Sequence, residues 1–358
     1  MSVSAITVNY YSEHFLPNLG ASLIGQPEIT ECLLINNGSH TPLSPLEPPF
    51  TLIENANNLG FGKAVNRALQ HCSQRWILLV NPDVVLQEHC IDHLLGAAQR
   101  YDSPIVGPRF YLDEDCRFRL PPALGDNAWL NYAQEIAPQA PIDQNLLGFY
   151  WEMRHARFWE TTEPFYEPFL SGSCLLIDRE RLCADNALFD ERYFLYYEDT
   201  DLCLRALQQG FRPLCIPDAY AVHYFDQSPD PGPKKIDLMQ QAKQAFFNKH
   251  YHNSVAPVSA PGATDSEWKT PERENLGCLD TPPAFQIPKL PQHESCYFEI
   301  SLSPAFVPFA QTIVTERILK IPEPVWNRLR PGHYFARVRG ERSGISHQWS
   351  WSKPASTS

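Results

Sequence analysis

Short apolar runs punctuate the first two thirds of this 358-residue chain, and the stretches between them carry a helical pattern. "VSAITVNYY", "ECLLINN" and "WILLVN" are β-rich and lack a polar face, which predicts strands covered on both sides. "NLGFGKAVNRALQHC" reads as a glycine-opened turn leading into a helix. Further on, "SGSCLLID" predicts another strand, "EDTDLCLRALQQGF" a helix with Gly210 near its end, and "RPLCIPDAYAVHY" an extended segment. Strands alternating with helices predict an α/β domain over residues 1–252, built on a parallel sheet. Residues 253–278 change to Pro, Ser, Gly and charge, the chemistry of a linker. After it, "SCYFEISLSP", "ERILKIPEPVW", "GHYFARVRGERSG" and "HQWSWS" alternate apolar with polar positions, predicting a small all-β sandwich over 279–355.

Two interruptions carry chemistry. In "WILLVNPDVVL" an apolar run is broken by Asn81, Pro82 and Asp83. "NPD" is an ordinary turn former. In an open α/β sheet, however, a carboxylate where a strand stops stands in the ligand cleft. A hard divalent cation such as Mg2+ or Mn2+ needs only one or two such ligands when phosphate and water complete its shell. In "YYEDTDLCLR", Glu198, Asp199 and Asp201 crowd three carboxylates into four residues at a helix start, where the dipole favours negative charge. Asp201 is the residue expected to serve as the helix cap, which leaves Glu198 and Asp199 for chemistry.

Charge narrows the partners. The net charge is −12, with −15 from Met1 to Cys278 and +3 from Leu279 to Ser358. An acidic main body lacks the basic stripe of a nucleic-acid groove. No segment approaches the roughly 20 apolar residues of a membrane span, and the N-terminus lacks a signal-peptide pattern, so a cytoplasmic location is expected. Ten cysteines without paired spacings read as reduced core residues.

The stretches "VNYYS", "INNGS", "NNLGFGKAVNRAL", "LLVNPDVVL", "FLSGSCLLIDRERL", "FDERYFLYYEDTDLCLRALQQGF" and "IPDAYAVHYFDQS" follow one another in that order. Together they resemble the family 2 glycosyltransferases, most closely the rhamnosyltransferase-like branch, across Val3 to Tyr251, about seventy per cent of the chain. The resemblance implies a GT-A fold, with a Rossmann-like nucleotide-binding half followed by an acceptor-binding half. It implies an inverting transferase that moves rhamnose or another hexose from a nucleotide-diphosphate donor to a glycan, lipid-linked or protein acceptor. Asp83 would hold the metal with Asn81 in the first position of the "DxD"-like element, where the family often has a carboxylate, and His223 would add a ligand. Asp199 would be the catalytic base, with Glu198 holding the acceptor or orienting the base. Clustering and burial would raise their pKa values toward neutrality.

Donor binding falls on Thr7, Asn9 and Tyr10 after the first strand, and on Asn36, where the family usually has Asp. A dTDP or UDP carrier is favoured. Asn58, Gly60, Phe61, Gly62 and Asn66 match the family's "NxGFxxxxN" element, with Lys63 as a counter-charge for the diphosphate. Gly172 and Ser173 match a loop lining the sugar and acceptor pocket. In the aromatic-rich stretch between, which matches no tight motif, Trp151 and Trp159 are read as packing residues rather than sugar platforms. "LRPGHYFARVRGERSGISHQWSWS" resembles the last strands of fibronectin type III domains, which implies a module that holds a protein partner. A cytoplasmic protein with peripheral contact at the inner membrane face is the corresponding expectation. Two alternatives stand beside this. A dinucleotide enzyme lacks its GxGxxG after the first strand. A non-catalytic sugar-nucleotide or glycan-binding protein, derived from a transferase, remains.

Overall fold

In the computed structural model, which describes residues 1–41, 43, 50–123, 125–127, 141–183, 187–224, 232–251, 273–287 and 294–355, the apolar runs become strands of one mixed sheet. The chain divides into two units, Met1–Arg109 with Pro122–Ala128 and Trp159–Pro257, and Phe110–Pro121 with Trp129–Phe158 and Val258–Ser358.

The first unit is built on β1 (Val3–Asn9), β2 (Ile29–Asn37), β3 (Thr51–Asn55), β4 (Trp76–Val80), β5 (Val84–Leu86), β6 (Ile105–Tyr111), β7 (Phe165–Tyr166), β8 (Cys174–Asp178) and β9 (Leu214–His223). Their order is β3-β2-β1-β4-β8-β6-β9-β5, with β7 on β9. β3, β2, β1 and β4 are parallel, as the alternation of strands and helices predicts. Every side chain of β4 and β8 is buried, which explains why those runs lack a polar face. β8 runs antiparallel to β4, so Val80 faces Cys174, and the residue leaving β4 meets the residue entering β8. β5 runs antiparallel to β9 and pairs Val84 with His223. "WILLVNPDVVL" is therefore two strands, and the polar break is the crossing from one to the other.

The second unit holds β10 (Glu274–Cys278), β11 (Ala284–Gln286), β12 (Cys296–Ser301), β13 (Ala310–Ile313), β14 (Ile318–Lys320), β15 (Gly332–Gly340) and β16 (Gly344–Lys353). Five form a sheet in the order β10-β16-β15-β12-β13, and β11 pairs with β14. Phe285, Phe298, Trp326, Trp349 and Trp351 fill its core together with Leu112, Phe118 and Leu120. Arg119 exchanges backbone hydrogen bonds with Gln311 at 2.7 and 3.0 Å, which extends the sheet past β13. The reverse face is polar. There Arg337 donates to Glu299 at 2.5 Å and to Glu152, on the helix Pro141–Glu160, at 2.6 Å.

Three details differ from the linear reading. Residues 274–278, assigned to the linker, form a strand parallel to β16. Residues 110–121, assigned to the first domain, complete the second core because Leu112, Phe118 and Leu120 have their apolar partners there. A sandwich needs a second broad sheet, and among the described residues that place is taken by the two-stranded β11–β14 pair and the helix Glu323–Arg328, so the fibronectin likeness does not follow from the topology. Trp151 and Trp159 are buried packing residues, with Arg154 over the first ring and Arg109 over the second.

Candidate active site

The two antiparallel registers assemble the site. Because Val84 pairs with His223, the preceding Asp83 falls beside the end of β9, where its carbonyl accepts the Tyr224 N–H at 3.1 Å. Asp83 Oδ2 lies 3.5 Å from His223 Nε2, and the two side chains are only 13 % and 12 % exposed. Burial opposes the charged carboxylate, but the His223 ring, through its charge and its hydrogen bond, outweighs this and holds Asp83 below the ordinary carboxylate range. His14, on the short turn after β1, adds to the same field.

Because Val80 pairs with Cys174, Asn81 meets Ser173. The Asn81 N–H donates to the Ser173 carbonyl at 2.9 Å, and its side-chain amide reaches Ser173 Oγ at 3.5 Å. The next residue back, Gly172, donates its N–H to Asp199 Oδ2 at 2.9 Å. A Cβ on Gly172 would sit 3.2 Å from the Asp199 Cβ, a tight approach of the loop to the carboxylate. The Asp83–His223 contact, the Asn81–Ser173 and Gly172–Asp199 hydrogen bonds and the backbone between neighbouring residues thus link His223, Asp83, Asn81, Ser173, Gly172 and Asp199.

Asp199 opens the helix Glu198–Gln208, and its other oxygen accepts the Thr200 N–H at 2.7 Å. Glu198 is buried and Asp199 is half-buried. Burial raises Asp199, and it raises Glu198 to about 8 with help from the Asp199 charge. Glu198 Oε2 has no hydrogen-bond partner among the described residues.

Asp201 does not cap the helix, as the pattern of charges suggested; the N-cap is Tyr197, in a left-handed conformation at φ 67°. The Asp201 carboxylate is wholly buried and accepts from Arg205, Lys249, His250 and the Tyr193 hydroxyl at 2.5 to 3.2 Å. Burial would raise it, but these cations outweigh burial and hold it below its ordinary value. It fastens this helix to Gly232–Tyr251.

The donor-side residues separate into two groups. Thr7, Asn9 and Asn36 line one face at the ends of β1 and β2. Asn9 donates to Asn36 at 3.2 Å and to Glu13 at 3.0 Å, while Asn36 donates to the Ser39 carbonyl and to Glu54. That leaves Asn36 one lone pair on its oxygen for a base. Thr7 Oγ1 is buried without a partner among the described residues, and Tyr10 is half-buried against Tyr11. The "NxGFxxxxN" residues make hydrogen bonds and contacts within the fold. Asn58 accepts from the Gly60 N–H and from Asn37 at 2.9 Å. Phe61 N–H donates to the Phe194 carbonyl, Gly62 lies against Phe189, and Asn66 bonds the backbone of Leu188 and Phe189. Gly60 has φ +85°, and a Cβ there would meet the Phe194 carbonyl oxygen at 2.3 Å. The motif therefore ties the donor side to residues 188–194, which lead into Glu198. Lys63 is half-exposed and pairs with Glu191 at 3.7 Å.

Sequence reasoning missed Glu13, Glu54 and Asp126. Glu54 reaches Asn36 through the β2–β3 register, while Glu13, on the short turn after β1, accepts from Asn9 and Ser39. Asp126 bonds the Tyr197 hydroxyl at 2.8 Å across 71 residues, which no local pattern signals. A cavity of about 420 Å3 lined by Arg75, Trp76, Asp102, Asp178 and Arg181 lies at the other end of β4 and holds none of the site residues.

Residues 4–180 match the model of glycosyl transferase family 2. The N-acetylglucosaminyl-diphospho-decaprenol L-rhamnosyltransferase of Mycobacterium tuberculosis is 32 % identical over 235 residues, which are 59 % of this chain and 71 % of the relative. Rhamnosyltransferase WbbL of Escherichia coli K12 is 26 % identical over 176 residues, 46 % of this chain and 61 % of that one. A crystal structure of GalNAc-T7 with UDP, GalNAc and Mn2+ aligns at a TM-score of 0.46 and 14 % identity, over 72 % of this chain and 52 % of the other.

Proposed function

Since the chain belongs to glycosyl transferase family 2, we propose that it transfers L-rhamnose or a related hexose from a dTDP- or UDP-linked donor to a lipid-linked saccharide, with inversion at the anomeric carbon. The observation that carries this reading is the run from Asp83 to Asp199, joined by the Asn81–Ser173 and Gly172–Asp199 hydrogen bonds and by the backbone between them. It supports a site for a charged leaving group near a half-buried base.

In the reaction, Asp199 takes the proton of the acceptor hydroxyl as its oxygen bonds the anomeric carbon. The bond from that carbon to the diphosphate oxygen breaks, and nucleoside diphosphate departs. Attack from the face opposite the leaving group inverts the centre. Gly172 and Thr200 N–H groups aim the Asp199 oxygens, and Glu198, when protonated, would donate a hydrogen bond without adding like charge. Asp83 and His223 offer a carboxylate oxygen and an imidazole nitrogen 3.5 Å apart, a pair that fits a divalent cation of the Mn2+ kind. A Mg2+ or Mn2+ ion held by them would supply the counter-charge for the departing diphosphate. Thr7, Asn9 and Tyr10 are assigned to the nucleoside.

The names of the two relatives support a rhamnosyl donor, and the mycobacterial one supports a polyprenyl-diphosphate acceptor. No helix among the described residues is long and apolar enough to cross a membrane, so such an acceptor would be met by peripheral contact at the inner face. The test is release of dTDP or UDP from activated sugars by the wild type and by Asp199→Asn. Loss of turnover with donor affinity kept supports the base assignment; equal turnover ends it.

A further inference from the structure

Asp126 stands in a stretch that no motif marks, yet its carboxylate is placed as deliberately as that of Asp199. Oδ2 accepts the Tyr197 hydroxyl at 2.8 Å and faces Lys243 Nζ at 3.6 Å. Oδ1 is buried and has no hydrogen-bond partner among the described residues, and the side chain as a whole is 13 % exposed. An unpaired buried carboxylate oxygen is costly, and such an atom persists where a ligand brings the missing donor.

Its surroundings identify the ligand's position. Tyr197 immediately precedes Glu198 and Asp199, and its ring rests on Phe246 at 5.4 Å between centroids. Burial, the Asp126 carboxylate and the Asp199 charge all keep the phenol protonated, so the hydroxyl stays a donor and lies within the field of both carboxylates. From the other side, Gly125 is seated so closely on Phe169 that a Cβ would lie 2.5 Å from the Phe169 Cβ. Phe169 leads through Leu170 and Ser171 to Gly172, the residue that bonds Asp199. Residues 125–127 are thus fastened to both segments that hold the catalytic carboxylate.

We propose that Asp126 is an acceptor-binding residue, whose Oδ1 receives a second hydroxyl of the acceptor sugar while Tyr197 and Lys243 hold Oδ2. The assignment rests on the transferase reading above, because a polyhydroxylated acceptor is what brings a donor to that oxygen. Asp126→Asn keeps the shape and an oxygen for Tyr197 but turns a donor toward the acceptor hydroxyl. Tyr197→Phe keeps the carboxylate and removes only its anchor.

Both variants are to be assayed with dTDP-rhamnose and a farnesyl-diphospho-N-acetylglucosamine acceptor, with donor affinity taken from calorimetry with dTDP and Mg2+. Asp126→Asn is expected to raise the acceptor KM about tenfold or more, the usual scale for a lost hydrogen bond to a charged group. Its dTDP affinity and melting temperature should match the wild type, and Tyr197→Phe should raise the acceptor KM less. An unchanged acceptor KM in Asp126→Asn overturns the proposal, as does parallel loss of dTDP affinity and melting temperature, which marks a structural residue. Wild-type turnover on the same acceptor separately tests the transferase reading, so the two failures are distinguishable.

Discussion

At the scale of single residues, burial sorts the three neighbouring carboxylates into different jobs. Hydrogen-bonded cations hold Asp201 below its ordinary value; burial and the Asp199 charge push Glu198 up to about 8; burial raises Asp199 against the pull of two backbone N–H groups. Glu198 has a folded pKa of about 8 against an ordinary 4.5. Its contribution to stability is therefore complete below the ordinary value and is lost as pH rises through the folded one. Chemical denaturation across that window should show the wild type losing stability that Glu198→Gln retains; parallel curves would contradict the assignment. Asp199→Asn should lower turnover by about 10²- to 10⁴-fold, the usual range for removing a general base. The acid limb of the wild-type rate profile should lie above the ordinary carboxylate range, as the raised Asp199 requires.

At the scale of elements, the site exists because two helices are clamped and two strands are paired in particular registers. The Asp201 cluster joins Glu198–Gln208 to Gly232–Tyr251 through Arg205, Lys249 and His250. Removing one member of a buried ion-pair group leaves uncompensated charge, at about 3–5 kcal/mol. Asp201→Ala should thus lower the melting temperature sharply; a shift within error would show the cluster to be ornamental. The strands, the helix from Phe61 and the helix from Glu198 were legible because apolar runs and glycine turns are local signals. The placement of Asp83 against His223 was not, because it depends on β5 leaving β4 for β9. Asn58 and Asn66 match a motif, but the pattern does not show that the Asn58 amide oxygen accepts from the Asn37 side chain and the Gly60 N–H, or that the Asn66 amide bonds backbone at 188–189. Asp201 was taken for a cap since its charge suits a helix start, whereas its partners at 205, 249 and 250 decide otherwise.

At the scale of the whole molecule, the two units are not consecutive in sequence. Leu112, Phe118 and Leu120 belong to the second core, and Glu152 closes the buried ion pair with Arg337 on its sheet. A fragment beginning at Arg273 lacks all four, and it should fail to give a cooperative melting transition. Truncation after Tyr251 should likewise expose Leu112 and Phe118 and yield an aggregating protein; a monodisperse, fully active product would refute this. Such a truncation therefore cannot by itself separate a partner-binding role of the second unit from its role in folding. The first unit carries the central claim, that a cation site at Asp83 and a base at Asp199 serve one crevice. The measurement that addresses it most directly is anomalous diffraction from crystals grown with Mn2+ and the donor's nucleoside diphosphate. The account predicts one manganese peak bonded to Asp83 and His223, with the diphosphate against it on the side of the Gly172–Asp199 contact. A peak bound to neither residue, or a diphosphate held away from that loop, would contradict it.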